Sequence, residues 1–274
     1  MTLSEGPKKA IVVGASADIG MALCEDWLVK GWEVSGTYRT YSEAVRCLEP
    51  KLCSLVKCNL SNTDSVEDAC LTLQRCASSW DVLVLSPGLQ DPIGMFTQCD
   101  FEEWAQSIVI NFTNQLRFTH HLLPDRNLNA NASPTVIFFA GGGVNNAPIG
   151  YSAYTVSKIA LMKMVELLAA EIPDVKFVII GPGWVKTKIH NSILDAGIKA
   201  GDNYARNLQK FQKDEFTAMA DVVTCCNALI NGSKELLTGR NYSVVFDKWG
   251  SSELHELLAK HPDMYKLRRF GNDY

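Results

Sequence analysis

The stretch "AIVVGASADIG", Ala10 to Gly20, decides how this chain is read. It starts as a β-branched apolar run, meets a glycine at 14, and then enters a pattern in which Ala22, Leu23 and Trp27 share one helical face. Gly31 follows where a C-cap glycine would stand. A strand that turns through glycine straight into a helix opens a βαβ unit, so a parallel sheet is expected from this point on.

The same rhythm runs almost to the end of the chain. "EVSGTY" at 33, "LCSLVKC" at 52, "DVLVLS" at 81, "TVIFFA" at 135, "KFVIIG" at 176 and "YSVVF" at 242 read as strands separated by helical patterns. "SNTD" from Ser61 and "DFEE" from Asp100 each offer a cap with an acid three residues on, so helices should follow both. The reading is a single doubly wound α/β domain over residues 1–274, its core at about 8–247 and a packed charged tail at 248–274. Residues 188–215 are polar and weakly periodic, and read either as a flap over a substrate or as an amphipathic surface helix. No internal repeat and no low-complexity linker interrupts the pattern.

Composition narrows the function. With 274 residues, 47% of them hydrophobic, the chain can bury a full core, and a net charge of -4 gives no basic field for nucleic acid or an anionic membrane. Nine cysteines, an odd number without a CxxC pair, indicate neither a disulfide framework nor a zinc cage, so no metal site is expected. The apolar run behind "PKK" is too short for a signal segment or a bilayer span. A soluble cytoplasmic protein is expected.

In the opening turn Gly14 permits a tight bend, Ser16 offers a hydroxyl, Ile19 and Gly20 begin the helix with Gly20 allowing close packing, and the helix-start amides can face a pyrophosphate. A Tyr-x-x-x-Lys pair, Tyr154 and Lys158, lies on one face of the long helical pattern "YSAYTVSKIALMKMVELLAAEI", and "GPGWVKT" follows the sixth strand. With these residues the chain resembles the short-chain dehydrogenase/reductase family, whose first turn is written TGxxxGIG. Here Val13 replaces the threonine and Asp18 the middle glycine, and Asp18 is expected to point away as a cap for the helix.

The resemblance covers about residues 8–247 and implies a seven-stranded parallel sheet with Rossmann-type topology, a nicotinamide cofactor, and a homodimer or homotetramer paired through the helices carrying Asn111 and Tyr154. Arg39, at the end of the second strand where an acid would accept from a ribose hydroxyl, suits a 2'-phosphate and favours NADP, with NAD possible. Asn59 and Leu60 stand for the family's adenine-binding Asp-Val pair. "LSPG" stands for NNAG with only Gly88 matching, so that turn should keep its shape with fewer side-chain hydrogen bonds. By the same resemblance Tyr154 is the general acid/base, Lys158 lowers the tyrosine pKa and holds the nicotinamide ribose, and Asn111 anchors a proton-relay water. Pro182 and Gly183 turn the chain beneath the nicotinamide, Val185 offers its backbone to the carboxamide and Thr187 its hydroxyl.

One departure is sharp. The family places a serine at the end of the fifth strand to bond the reacting oxygen, and counting back from Tyr154 lands on Gly141, the first of three glycines in "FFAGGG". Losing one such donor costs on the order of 10² to 10³ in rate. Either the 141–143 amides act as replacement donors, helped by Asn145 or Asn146, or the glycines only form a tight turn or admit a bulky substrate. The expected function is therefore an NADP(H)-preferring oxidoreductase that interconverts a carbonyl and an alcohol on a small polar, sugar-like metabolite. The alternative is a catalytically impaired cofactor-binding sensor or scaffold.

Overall fold

Each apolar run of the sequence forms a strand. The computed structural model describes residues 6–129 and 132–269. Strands β1 (Lys9–Val13), β2 (Glu33–Tyr38), β3 (Ser54–Lys57), β4 (Val82–Leu85), β5 (Thr135–Phe139), β6 (Lys176–Gly181) and β7 (Arg240–Ser243) make one sheet in the order β3-β2-β1-β4-β5-β6-β7. All neighbouring pairs are parallel. Strand alternation splits the apolar residues between two cores: Ala10 and Val12 join one, Ile11 and Val13 the other. Both faces are thus buried, as a parallel sheet requires.

Helices α1 (Asp18–Val29), α2 (Glu43–Leu48), α3 (Thr63–Cys76), α4 (Phe101–Ile108), α5 (Asn114–Leu122), α6 (Ser152–Glu171), α7 (Asn191–Ala196), α8 (Asp202–Lys213), α9 (Met219–Asn231), α10 (Lys234–Leu237) and α11 (Ser252–Lys260) cover the sheet and its carboxyl edge. A π-turn, Val109–Thr113, joins α4 to α5. Gly31 follows the α1 C-cap at φ +76, as its position suggested. Asp100 caps α4 by accepting from the Glu102 and Glu103 amides.

Two sequence boundaries move. The α3 cap is Asn62 rather than Ser61, because the Asn59 side chain takes the Ser61 amide at 3.1 Å and leaves Asn62 to accept from Ser65 at 2.8 Å. β7 begins at Arg240 and stops at Ser243. The Ser243 hydroxyl accepts from the Val245 and Phe246 amides, so the expected strand end becomes a turn with Phe246 exposed.

Three further features hold the layers. Lys176, fully buried in β6, donates to the carbonyls of Leu229, Ile230 and Gly232 at 2.7–2.8 Å, closing the C-terminal end of α9 with a cation. The tail packs back on the sheet: Arg240 donates to Met264 and Leu236 carbonyls, and Arg268 pairs with Glu166 of α6 and with Asp263. Residues 188–213 form a 3-10 turn, α7, a second such turn and α8. Ile193 and Ala200 of this segment are buried in a small cluster with Ile93 and Tyr151. The strand order reverses between β1 and β4, and the crevice beyond their carboxyl ends holds the site.

Candidate active site

A cavity of about 890 Å³ runs along the carboxyl edge of the sheet. Gly14, at φ +81, turns the chain out of β1, and its amide donates to Thr37 Oγ1 at 3.0 Å. A β-carbon on Gly20 would stand 2.2 Å from the Gly14 carbonyl oxygen, so Gly20 lets α1 pack under the turn and stays behind the cavity wall. Ser16 and Ile19 line the cavity. Two expectations are corrected here. Ser86 Oγ donates to the Val13 and Gly14 carbonyls at 2.8 and 3.1 Å, so the "LSPG" turn is tied by side chain to the first turn. Asp18 does not cap α1, since the cap position is Ala17; its carboxylate accepts the Lys188 amide at 2.8 Å instead.

Arg39 stands just beyond β2, exposed and on the cavity wall with Thr40 and Ser42. Asn59 and Leu60 line the same end. Part of the Asn59 acceptor capacity is spent on the Ser61 amide, and the Leu60 carbonyl is held by Asn114 Nδ2 at 2.8 Å.

The α4–α5 segment turns a polar stripe inward. Asn111 accepts from the Leu89 amide at 2.8 Å and donates to its carbonyl at 2.7 Å, and Gln115 donates to the Pro87 carbonyl at 3.0 Å. Asn111, Asn114 and Gln115 are all fully buried. Asn111 therefore does not line the cavity; its side chain fixes the loop after β4 that carries Gly88, which does. It lies within the π-turn, a helix irregularity common at functional sites. Asn114 and Gln115 went unread in the sequence, although their spacing of three and four from Asn111 is the helical signal that would have found them.

Tyr154 and Lys158 project from α6 into the cavity, with the lysine ammonium 6.0 Å from the tyrosine ring centre. Burial pushes the Tyr154 phenol up to about 12 and the Lys158 ammonium down to about 8. Desolvation is the one cause of the Tyr154 shift, and no lowering by Lys158 accompanies it. Lys158 makes one long hydrogen bond, 3.5 Å to the Pro87 carbonyl, and a β-carbon on Gly88 would lie 3.9 Å from its nitrogen.

Gly141 lies directly under the phenol: a β-carbon there would meet Tyr154 Cε1 at 2.6 Å and the phenolic oxygen at 2.8 Å. Gly142 faces open space, and Gly143 adopts φ +101. Asn146 lines the cavity and Asn145 does not. Pro182, Gly183, Val185 and Thr187 line it beside Tyr154. Gly183 is at φ +75, and a side chain there would strike Thr217 Oγ1 at 2.5 Å; the Thr217 amide donates to the Trp184 carbonyl at 2.8 Å. The sequence-derived set thus converges on one cavity, with Gly20 and Asn111 supporting it from behind. Thr37, Gln90, Tyr151, Asn203 and Arg206 also line it. No local motif marks them, because they come from β2, the loop after β4, the start of α6 and α8. The arrangement joins an uncapped helix start, suited to phosphate, to a proton-bearing phenol beside a buried ammonium.

Among the described residues no group of three or more His, Cys, Asp or Glu could hold a metal, and no helix is long and apolar enough to cross a membrane. The sequence profile described as short chain dehydrogenase matches residues 8–197. An uncharacterised oxidoreductase of Schizosaccharomyces pombe is 25% identical over 91% of this chain and 99% of its own length. BdcA in complex with NADPH superposes with a TM-score of 0.68 at 18% identity, covering 86% of this chain and 92% of that one. 4-Hydroxyisoleucine dehydrogenase complexed with NADH gives a TM-score of 0.72 at 20% identity, covering 86% and 96%.

Proposed function

The chain belongs to the short-chain dehydrogenase family, and we propose that it is an NADP(H)-preferring oxidoreductase interconverting a carbonyl and an alcohol on a small polar metabolite. The observation that carries this reading is the convergence of the β1 glycine turn, Tyr154 and Lys158 on a single cavity. The walls fit a dinucleotide: side chains on Gly14 and Gly183 would strike Ser86 and Thr217, so only glycine keeps these two turns in the shape that lines the cavity, and the uncapped start of α1 offers its amides to a phosphate. The structural neighbours described with NADPH and NADH support a nicotinamide cofactor.

In this reading the α1 amides and Ser16 hold the pyrophosphate, Arg39 a 2'-phosphate, Asn59 and Leu60 the adenine, and Pro182 to Thr187 the nicotinamide. When bound, the nicotinamide exchanges hydride with the carbonyl carbon. Tyr154 Oη holds the proton exchanged with the substrate oxygen, and a phenol raised to about 12 is protonated at neutral pH, the form that reduction needs. Lys158 bonds the ribose hydroxyls, since its ammonium is otherwise met only by a long contact. Asn111 orients the loop after β4 on the far side of Lys158. The reacting oxygen takes its hydrogen bond from the Gly142 amide region, where no side chain intervenes. Residues 188–215 form the flap over the substrate.

NADPH oxidation in the presence of a panel of carbonyl compounds tests this. Tyr154→Phe is expected to cut turnover by roughly 10² to 10⁴ with little change in cofactor affinity. Full activity in that variant would refute the mechanism. Tight NADPH binding by the unaltered protein without turnover of any carbonyl compound would favour the sensor or scaffold instead, the reading to which the glycine at 141 points.

A further inference from the structure

Beyond the nicotinamide position the cavity ends between the start of α6, the loop after β4 and α8. Three polar side chains meet the cavity there. Arg206, on α8, is solvent-exposed at the cavity mouth and makes no hydrogen bond or ion pair with the described residues. Tyr151, only 3% exposed, also lines it; its buried hydroxyl makes no hydrogen bond of normal geometry, although the Asn203 side chain stands beside it and the Asp91 carboxylate acts on it. Gln90 Oε1 is likewise buried and unpartnered. Buried polar atoms are nearly always satisfied, so unpaired ones on a cavity wall mark where a ligand's polar atoms belong.

The sign of the missing partner follows from charge. The cavity's charged lining is Arg39, Lys158, Lys188 and Arg206 against the single carboxylate of Asp18, which is engaged by the Lys188 amide. Arg39 stands at the adenosine end and Lys158 beside Tyr154, leaving Lys188 and Arg206; of these Arg206 lies one helical turn on from Asn203, whose side chain stands beside the Tyr151 hydroxyl, and is the cation for the substrate. The α6 N-terminus, beginning at the residue after Tyr151, has no side-chain cap and adds a positive potential. A guanidinium fork with a hydroxyl donor beside it matches a planar carboxylate.

We propose that the substrate is a short carboxylate, reduced as a keto acid or oxidised as the corresponding hydroxy acid, with its carboxylate held by Arg206 and the Tyr151 hydroxyl. Gln90 Oε1 accepts from a further hydroxyl or amino group on the substrate. This rests on the oxidoreductase reading of the same cavity. It differs from the plain polar-metabolite reading in requiring a negative charge at a fixed place.

The test compares 2-, 3- and 4-oxopentanoate with their methyl esters as substrates for NADPH oxidation. At least one acid is expected to exceed its ester by about tenfold or more in kcat/KM. Arg206→Gln is expected to remove that preference through KM rather than kcat, and Arg206→Lys to restore part of it. Esters turned over as well as the acids, or a preference that survives Arg206→Gln, would overturn the inference. A binding arm is independent of turnover: the NADP-loaded protein is titrated with 2-, 3- and 4-hydroxypentanoate. At least one should bind, about tenfold more weakly to Arg206→Gln and more weakly to Tyr151→Phe. Absence of binding, or equal binding in all three proteins, would overturn the proposal. Binding that depends on Arg206 without turnover of any carbonyl would instead retain the carboxylate site and reject the oxidoreductase reading.

Discussion

The Tyr154 ring rests on Gly141, with room between them for hydrogen but not for carbon: a β-carbon at 141 would stand 2.6 Å from Cε1. The glycine that replaces the family's serine is therefore the floor on which the phenol sits. A hydroxyl cannot be added there while the ring stays in place.

Gly141→Ser is accordingly expected to displace the phenol and lower activity. Misplacing a reacting group by about 1 Å can cost roughly 10²-fold. Gly142→Ser meets no protein atom but enters the region where the reacting oxygen is placed, so it tests that donor separately. Steady-state kinetics on both variants decides it: an activity gain in Gly141→Ser would mean that the ring yields cheaply and that a donor was missing.

Arg39→Ala should weaken NADP binding by about 10- to 100-fold, the worth of a charge-assisted contact, while NAD binding changes little. Equal losses for the two cofactors in a fluorescence titration would remove Arg39 from the 2'-phosphate site.

Lys158 gives a pH signature. Its folded-state pKa of about 8 lies below the ordinary 10.5, so between these values the unfolded chain binds the extra proton and this group's contribution makes stability rise with pH. Cofactor binding has the opposite trend, because the ammonium that holds the ribose is lost as pH rises through about 8. Affinity measured from pH 7 to 10 should fall in the native protein and flatten in Lys158→Arg, whose charge persists.

Lys176→Met should destabilise the fold by roughly 3 kcal/mol, since three buried carbonyls lose a charged donor. Urea unfolding measures it. Lys176 lies outside the cavity, so KM should not move with stability.

How far the site was legible depended on how local each signal was. Tyr154 and Lys158 are one helical turn apart, and the Gly14 turn is contiguous, so local spacing made them candidates, and their place after strands together with the family resemblance gave them roles. The Gly141–Tyr154 contact joins the end of β5 to α6, and the approach of Tyr151 to Asn203 depends on how α8 folds back, so no window of sequence contains either. Strand positions were readable because buried β-branched runs are unambiguous in the sheet centre. The edge strand β7 was not, since "VVF" is apolar yet Val245 and Phe246 lie outside the core. Asp18 was misread for a related reason: a carboxylate at a helix start suits a local cap, and its distant partner is Lys188. The direction of the Tyr154 shift was not legible because its cause is burial, which sequence does not show.

That last hydrogen bond bears on redesign. Segment 188–213 looks like an exchangeable cassette, but its first amide is moored to residue 18, in the turn that opens the whole chain. Transplanting the corresponding segment between family members with a glycine at 18 and this one would sever the mooring. A working chimera has to carry two separate pieces of sequence, and the unit of inheritance for substrate choice includes a residue from the nucleotide turn.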